Sequence, residues 1–230
     1  MAIVRYLAMT GAEFCSCTQY PPHIGWLACH FSPSGVGLSN IPKVLPAGSL
    51  LIVDDSLPFI DHDPELICDQ LQQAIGKFGL SAAVLDFQRG HNPHLQSLTA
   101  LLQSKLPCPV FAPPDYVQSG AVFLPPCPLH TPVDRYLKPY QGRQILLDTT
   151  PFSEIIHVTQ HRADYQAISP LPFEGNYHWD YRLYCHYEIA TDGNCVSFTL
   201  QRNRESFNEW SAYVESLGVI AMIGLYQEWK

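Results

Sequence analysis

Asp86 and Gln88 stand two residues apart in SAAVLDFQRG (81–90), where a short apolar run gives way to polar sequence. Residues i and i+2 of an extended chain face the same side. A carboxylate and a carboxamide are therefore presented together at the point where the run ends. Two carboxyl groups at this spacing would supply an acid and a base. A carboxamide has no proton to release at neutral pH, so Gln88 can hydrogen-bond a ligand but cannot protonate one.

Other apolar runs end in the same way. SLLIV stops at Asp54-Asp55, QILL at Asp148, CPVFA runs into Pro113-Pro114-Asp115-Tyr116, and the last run closes on Tyr226-Gln227-Glu228-Trp229. Acids at one end of several strands are what a polar site requires, although aspartate at a strand end is also an ordinary turn and cap residue. Asp86, Glu228 and Asp115 are the candidate catalytic carboxyls, with Asp55 a further candidate acid. Asp54, Asp55, Gln88, Tyr116, Asp148, Tyr226 and Trp229 are the candidate ligand-binding set. Phe59, Tyr116, Tyr226, Trp229 and Trp179 offer rings that could stack on a sugar face or simply pack.

Metal and nucleophile signatures are weak. His91-Asn-Pro-His94 follows the Asp86 run, but Asn92-Pro93 already reads as a helix start. His157 and His161 have i, i+4 spacing without the glutamate of a zinc-protease helix. Cys15-Ser-Cys17 has no second pair at zinc-site spacing. There is no G-x-S-x-G elbow and no G-x-x-x-x-G-K-[ST] loop. No metal and no cofactor is implied.

Three prolines mark helix starts behind a capping side chain: Asp63-Pro64, Asn92-Pro93 and Thr131-Pro132. After Pro64 come Ile67, Leu71, Ala74, Ile75 and Phe78 at helical spacing, closed by Gly79. Ser206-x-x-Glu209 reads as a capping box opening a fourth helix. Ten strand-length apolar runs accompany these helices: 26–31, 49–55, 82–87, 108–113, 121–125, 144–148, 154–159, 185–190, 196–201 and 219–226. Continuous apolar strands interleaved with amphipathic helices imply parallel strands covered by helices. About eight usable strands predict a compact, somewhat irregular (β/α)8 TIM-type barrel filling residues 1–230 as a single domain. Residues 1–25 are an irregular segment in this reading, and 160–182 are a long loop or excursion. In such barrels the site lies at the C-terminal ends of the strands.

The 230 residues are 47% hydrophobic with a formal net charge of −8. That balance argues against a phosphate-backbone partner, and no run is apolar enough to cross a membrane as a helix. With no secretion signal at the N-terminus, the expected location is cytoplasmic and the eight cysteines are expected as thiols.

GLSAAVLDFQR resembles the signature strand of family 18 glycoside hydrolases, the chitinases and their relatives, which reads D-x-x-D-x-D-x-E. The helix and KLPCPVFAPP that follow, and RESFNEWSAYVESLGVIAMIGLYQEW at the C-terminus, are similar to that family's next helix and strand and its last helix and closing strand. Together these cover about half of the chain, and the signature alone is diagnostic. It falls on Ser81, Val84, Asp86 and Gln88, of which only Asp86 keeps the family residue. The resemblance implies a barrel in which the terminal glutamate protonates the glycosidic oxygen while Asp86 orients the substrate's N-acetyl group. With Gln88 in that place, the reading that follows is a catalytically degenerate barrel binding an oligosaccharide or similar polar ligand. Two alternatives stand beside it. One is an active hydrolase drawing its acid from Glu228, Asp115 or Asp55; the other is a scaffold or interaction domain with no small-molecule site.

Overall fold

A computed structural model describes residues 3–57, 63–90 and 92–229. The chain divides into two compact units. One is built from Val4–Pro125, Gly142–Asp148 and Ile220–Lys230, the other mainly from Pro126–Gln141 and Thr149–Val219.

The first unit is the barrel. Its elements in chain order begin with β1 (Val4–Met9), α1 (Gly11–Ser16), β2 (Ile24–Phe31), β3 (Leu38–Ser39) and β4 (Leu50–Asp54). They continue with α2 (Pro64–Phe78), β5 (Ala82–Asp86), α3 (Pro93–Lys105), β6 (Val110–Phe111) and β7 (Val122–Leu124). After α4 (Val133–Leu137), which belongs to the second unit, the barrel resumes at β8 (Ile145–Asp148). The second unit then supplies β9 (Ser153–Val158), β10 (Ala163–Ile168), β11 (His178–Asp180), β12 (Cys185–Asp192), β13 (Cys195–Gln201) and α5 (Arg204–Ser216). β14 (Val219–Leu225) returns to the barrel as its last strand.

Strand order β6-β5-β4-β2-β1-β14-β8-β7 carries the chain once around, with β3 hanging antiparallel on β2. A parallel bridge between Ala112 and Val122, and the bond from Phe123 N–H to the Ala112 carbonyl (2.8 Å), join β6 to β7. The eight strands therefore nearly close, giving the irregular (β/α)8 barrel expected from the sequence. The N-terminal segment is corrected: it is not irregular but holds β1, paired with β14 and β2, and α1. Thr10 and Glu13 cap α1 reciprocally through side chain and backbone.

Alternate residues of the parallel strands fill the barrel. Tyr6, Ala8, Leu50, Ile52, Ala82, Val84, Phe111, Leu146, Ala221 and Ile223 form one buried cluster. Ala8, Gly25, Leu50 and Ala82 lie in register across four neighbouring strands. Gly25 keeps this layer open, because a Cβ there would lie 3.0 Å from Ile52 Cδ1 and 3.2 Å from Ile223 Cδ1.

The helix signals hold in two places and shift in two. Asp63 and Asn92 cap α2 and α3 by accepting from the N–H groups of Glu65 and His94, and Gly79 closes α2 in the left-handed conformation. Thr131 caps nothing at the next helix; Pro132 itself occupies the cap position of the short α4. The last helix begins at Arg204. Its capping box pairs Asn203 with Ser206 through two 2.9 Å bonds, so Ser206 is the reciprocal partner and not the first cap.

The runs at 154–159, 185–190 and 196–201 are not barrel strands. They form β9, β12 and β13 of an antiparallel sheet ordered β10-β9-β13-β12-β11. Residues 160–182, expected as a loop or excursion, carry the two edge strands β10 and β11. Half-exposed apolar strands and fully buried ones share the same short apolar runs, so periodicity alone did not separate the two sheets. Among the described residues all eight cysteines are free thiols, and no helix is long and apolar enough to cross a membrane.

Gly25→Ala is expected to destabilise the barrel by about 1–3 kcal/mol through overpacking. Adding Ile52→Val, which removes the nearest methyl, should recover part of that loss. Chemical denaturation of the two single variants and the double variant measures the coupling. Strict additivity would show that the Cβ does not meet Ile52.

Candidate functional site

β4 and β5 run parallel in register, so Asp54 lies opposite Asp86 at their C-terminal ends. Leu50 and Ile52, Ala82 and Val84 on the same faces fill the barrel interior, and the two-residue period turns both carboxylates toward its mouth. Asp148, the last residue of β8, continues the alternation of interior Leu146.

β2 adds a residue that the sequence reading missed. Its register shifts between Trp26 and Cys29, a bulge that sets His30 opposite Asp54. His30 Nδ1 lies 4.0 Å from Asp54 Oδ2, while Nε2 lies within hydrogen-bond distance of Asn40 Nδ2 at 3.3 Å. The available signal was a histidine near the end of WLACHF, one more polar group at the end of a strand.

Gln88 Nε2 donates to both oxygens of Asp86, at 3.1 and 3.2 Å. Burial pushes the Asp86 carboxyl above its ordinary range. Gln88 opposes that shift by solvating the anion, and nearby Asp54 and Asp55 reinforce it. Among the described residues neither Asp54 nor Asp86 is bridged to a lysine or arginine.

Asp55 departs from its expected role as ligand or acid. It is 3% exposed. Its Oδ1 accepts from Gln88 N–H and its Oδ2 from Arg89 N–H, each at 2.9 Å. Both oxygens are spent holding the chain just beyond β5, which fixes the backbone that carries Gln88. Tyr116 departs likewise. At 6% exposure its ring packs edge-on against Phe87 and its hydroxyl donates to the Gly90 carbonyl, so it offers no open stacking face. Asp115 is exposed in the 3-10 turn after β6.

After β14 the chain turns through Tyr226–Glu228. The Tyr226 hydroxyl lies 3.5 Å from the Cys17 thiol. Glu228 is exposed, and its carboxyl is pushed up first by partial burial and then by Asp148. The barrel thus holds two groups of acids, Asp54 and Asp86 on β4 and β5, and Asp148 and Glu228 at β8 and β14. Trp229 is partly buried, and Trp179 lies in β11 of the second unit and not in a loop. Phe59 and His91 lie outside the described residues. Among the described residues no three His, Cys, Asp or Glu side chains cluster to hold a metal.

No family model and no curated protein matches the chain. Solved structures do. A glutamate-to-glutamine variant of a class V chitinase from Nicotiana tobaccum, in complex with NAG4, aligns over 99% of this chain and 95% of its own at TM-score 0.61 and 8% identity. A family 18 chitinase from Cycas revoluta, in complex with (GlcNAc)3, aligns over 96% and 94% at TM-score 0.55 and 9% identity. The spore cortex-lytic enzyme SleL of Bacillus cereus aligns over 97% of this chain and 70% of its own at TM-score 0.54 and 9% identity. The fold is a chitinase-like (β/α)8 barrel.

Asp55→Ala should cost about 2–3 kcal/mol in chemical denaturation, because two charge-assisted bonds vanish together. A second prediction concerns pH. A carboxyl whose folded-state pKa is raised contributes stability that is complete below its unfolded value and lost as pH rises through the folded value. Asp86→Asn removes that loss. Its Tm relative to the parent protein should therefore rise between pH 4 and pH 7, and thermal unfolding at both values checks the sign.

Proposed function

We propose that the barrel mouth binds a carbohydrate and no longer hydrolyses it by way of Gln88. The observation that carries this reading is the Gln88 amide donating to both oxygens of Asp86. A carboxamide at this strand end offers a donor and an acceptor to a hydroxyl or N-acetyl group but has no proton to give a leaving oxygen. General acid catalysis at this position, typically worth ~10²–10⁴-fold, is therefore absent. Asp86, Asp54, Asp148 and His30 supply further polar contacts, and Tyr226 and Trp229 supply ring surface.

The fold likeness supports the choice of ligand class. Two barrels similar to this one were solved with N-acetylglucosamine oligomers bound, one of them with a glutamine in place of a glutamate. An N-acetylglucosamine oligomer is accordingly the first ligand to test. A cytoplasmic location remains part of the proposal.

One observation favours a second reading. Glu228 is held above its ordinary range by partial burial and by Asp148, and a raised carboxyl pKa is the direction a general acid needs. In that reading the barrel is a hydrolase whose acid has moved from β5 to the end of β14.

Calorimetric titration with N-acetylglucosamine oligomers of increasing length, with the products analysed, separates the readings. Saturable heat that grows with oligomer length, no cleavage, and about 5-fold weaker binding for Gln88→Ala is the expected outcome; one lost hydrogen bond to ligand is worth roughly 1 kcal/mol. Cleavage that survives Gln88→Ala and disappears in Glu228→Gln would install the second reading. The absence of heat with every oligomer would refute both and leave the scaffold reading.

A further inference from the structure

The five-stranded sheet ends on β10, and the way that strand is bonded fixes which groups it leaves unpaired. Thr159 N–H donates to the Arg162 carbonyl at 2.8 Å, and β10 then pairs with β9 from Ala163 opposite Val158 to Ile168 opposite Ser153. Bonded and non-bonded pairs alternate along an antiparallel ladder. Asp164, Gln166 and Ile168 therefore bond inward to β9, while the N–H and C=O groups of Ala163, Tyr165 and Ala167 point outward.

The one charge within β10 is Asp164, and little else blunts this edge. It contains no proline, no lysine and no register shift, which are the usual protections of a free strand. Ala163 through Ala167 are exposed. On one face Tyr165, 55% exposed, is flanked by the two alanines and lies 4.3 Å from the His130 ring. On the other face stand Asp164 and Gln166. Arg162 neutralises Asp164 locally through a 2.5 Å contact.

We propose that β10 is a homodimerisation edge, pairing antiparallel with β10 of a second copy of this chain about a two-fold axis through Tyr165. The sequence of the strand is self-complementary in that register. Tyr165 meets Tyr165 and Ala163 meets Ala167, so the three outward residues exchange their backbone bonds. Asp164 meets Gln166 at both non-bonded pairs, where side chains come closest, so each carboxylate accepts from an amide and no like charges oppose. Arg162 falls opposite Ile168. This complementarity singles out a second copy among extended partners, because the same five residues satisfy both sides. Two five-stranded sheets become one of ten strands. A single strand pair buries less than a standard interface, so the association is concentration-dependent.

Sedimentation equilibrium of the full chain over a range of concentrations tests the pairing. The mass should rise from 25.8 kDa toward twice that value. Gln166→Asp sets two acids opposite each other and should weaken the dimer at least 10-fold, whereas Gln166→Lys should tighten it. Gln166 is exposed, so both substitutions leave folding unaffected, and circular dichroism checks it. Ala167→Pro removes an outward N–H without touching the β9 ladder and should give a monomer. A parent protein that stays monomeric throughout would overturn the proposal. So would a dimer whose strength ignores the charge at residue 166, since its interface would then lie elsewhere.

Discussion

The in-register pairing of parallel strands β2, β4 and β5 is the constraint on which the site depends. Period two decides that Leu50, Ile52 and Asp54 share a face, and pairing decides that Ala82, Val84 and Asp86 share the same one. A slip of one residue would bury Asp54 and Asp86 against the covering helices and turn Val53 and Leu85 into the mouth. The apolar cost of that slip is what holds the carboxylates where they are. The bulge in β2 is the one departure from regular spacing, and it serves the same end by bringing His30 level with Asp54.

A second layer of support lies just beyond the strand ends. Asp55 points away from Asp54, as alternation requires, and spends both oxygens on the N–H groups of Gln88 and Arg89. Buried backbone donors need partners, and this carboxylate ties the end of β4 to the chain leaving β5. Two neighbouring aspartates thus divide the work: one faces the mouth, the other fixes the backbone from which the Gln88 amide reaches Asp86. Tyr116 does a related job from the turn after β6, with its ring on Phe87 and its hydroxyl on the Gly90 carbonyl.

This division shows what was legible in the sequence and why. The barrel was readable because its buried strands are uninterrupted apolar runs and α2 and α3 carry proline and cap signals. β1 was not, because VRYLAM carries Arg5 on a face of a strand whose alternate residues Tyr6 and Ala8 are buried inside the barrel. The antiparallel sheet was not separated from the barrel because EIIHV and VSFTL are also short, largely apolar runs, and pairing partners are a tertiary property. Among site residues, the strand-end position located Asp54, Asp86 and Gln88. It could not separate Asp54 from Asp55, since the two differ only in the side they face, nor reveal His30, whose place depends on a bulge.

Val84 bears on the proposed role as strongly as Gln88. It is fully buried among Ile52, Ala82 and Phe111, two residues below Asp86 on the same face. A carboxylate at that depth would have to be desolvated in an apolar layer, at a cost of several kcal/mol unless paired. With valine there the layer is dry, and Asp86 is the innermost polar group on β5. Its carboxyl is raised by that dry floor and restrained by the Gln88 amide above it. An aspartate so placed is a hydrogen-bonding group without a proton relay beneath it or a proton donor beside it. The apolar floor and the carboxamide therefore bear on the proposal in the same direction, since both leave Asp86 to hydrogen-bond a ligand and neither lets it exchange a proton with a neighbour on its own strand.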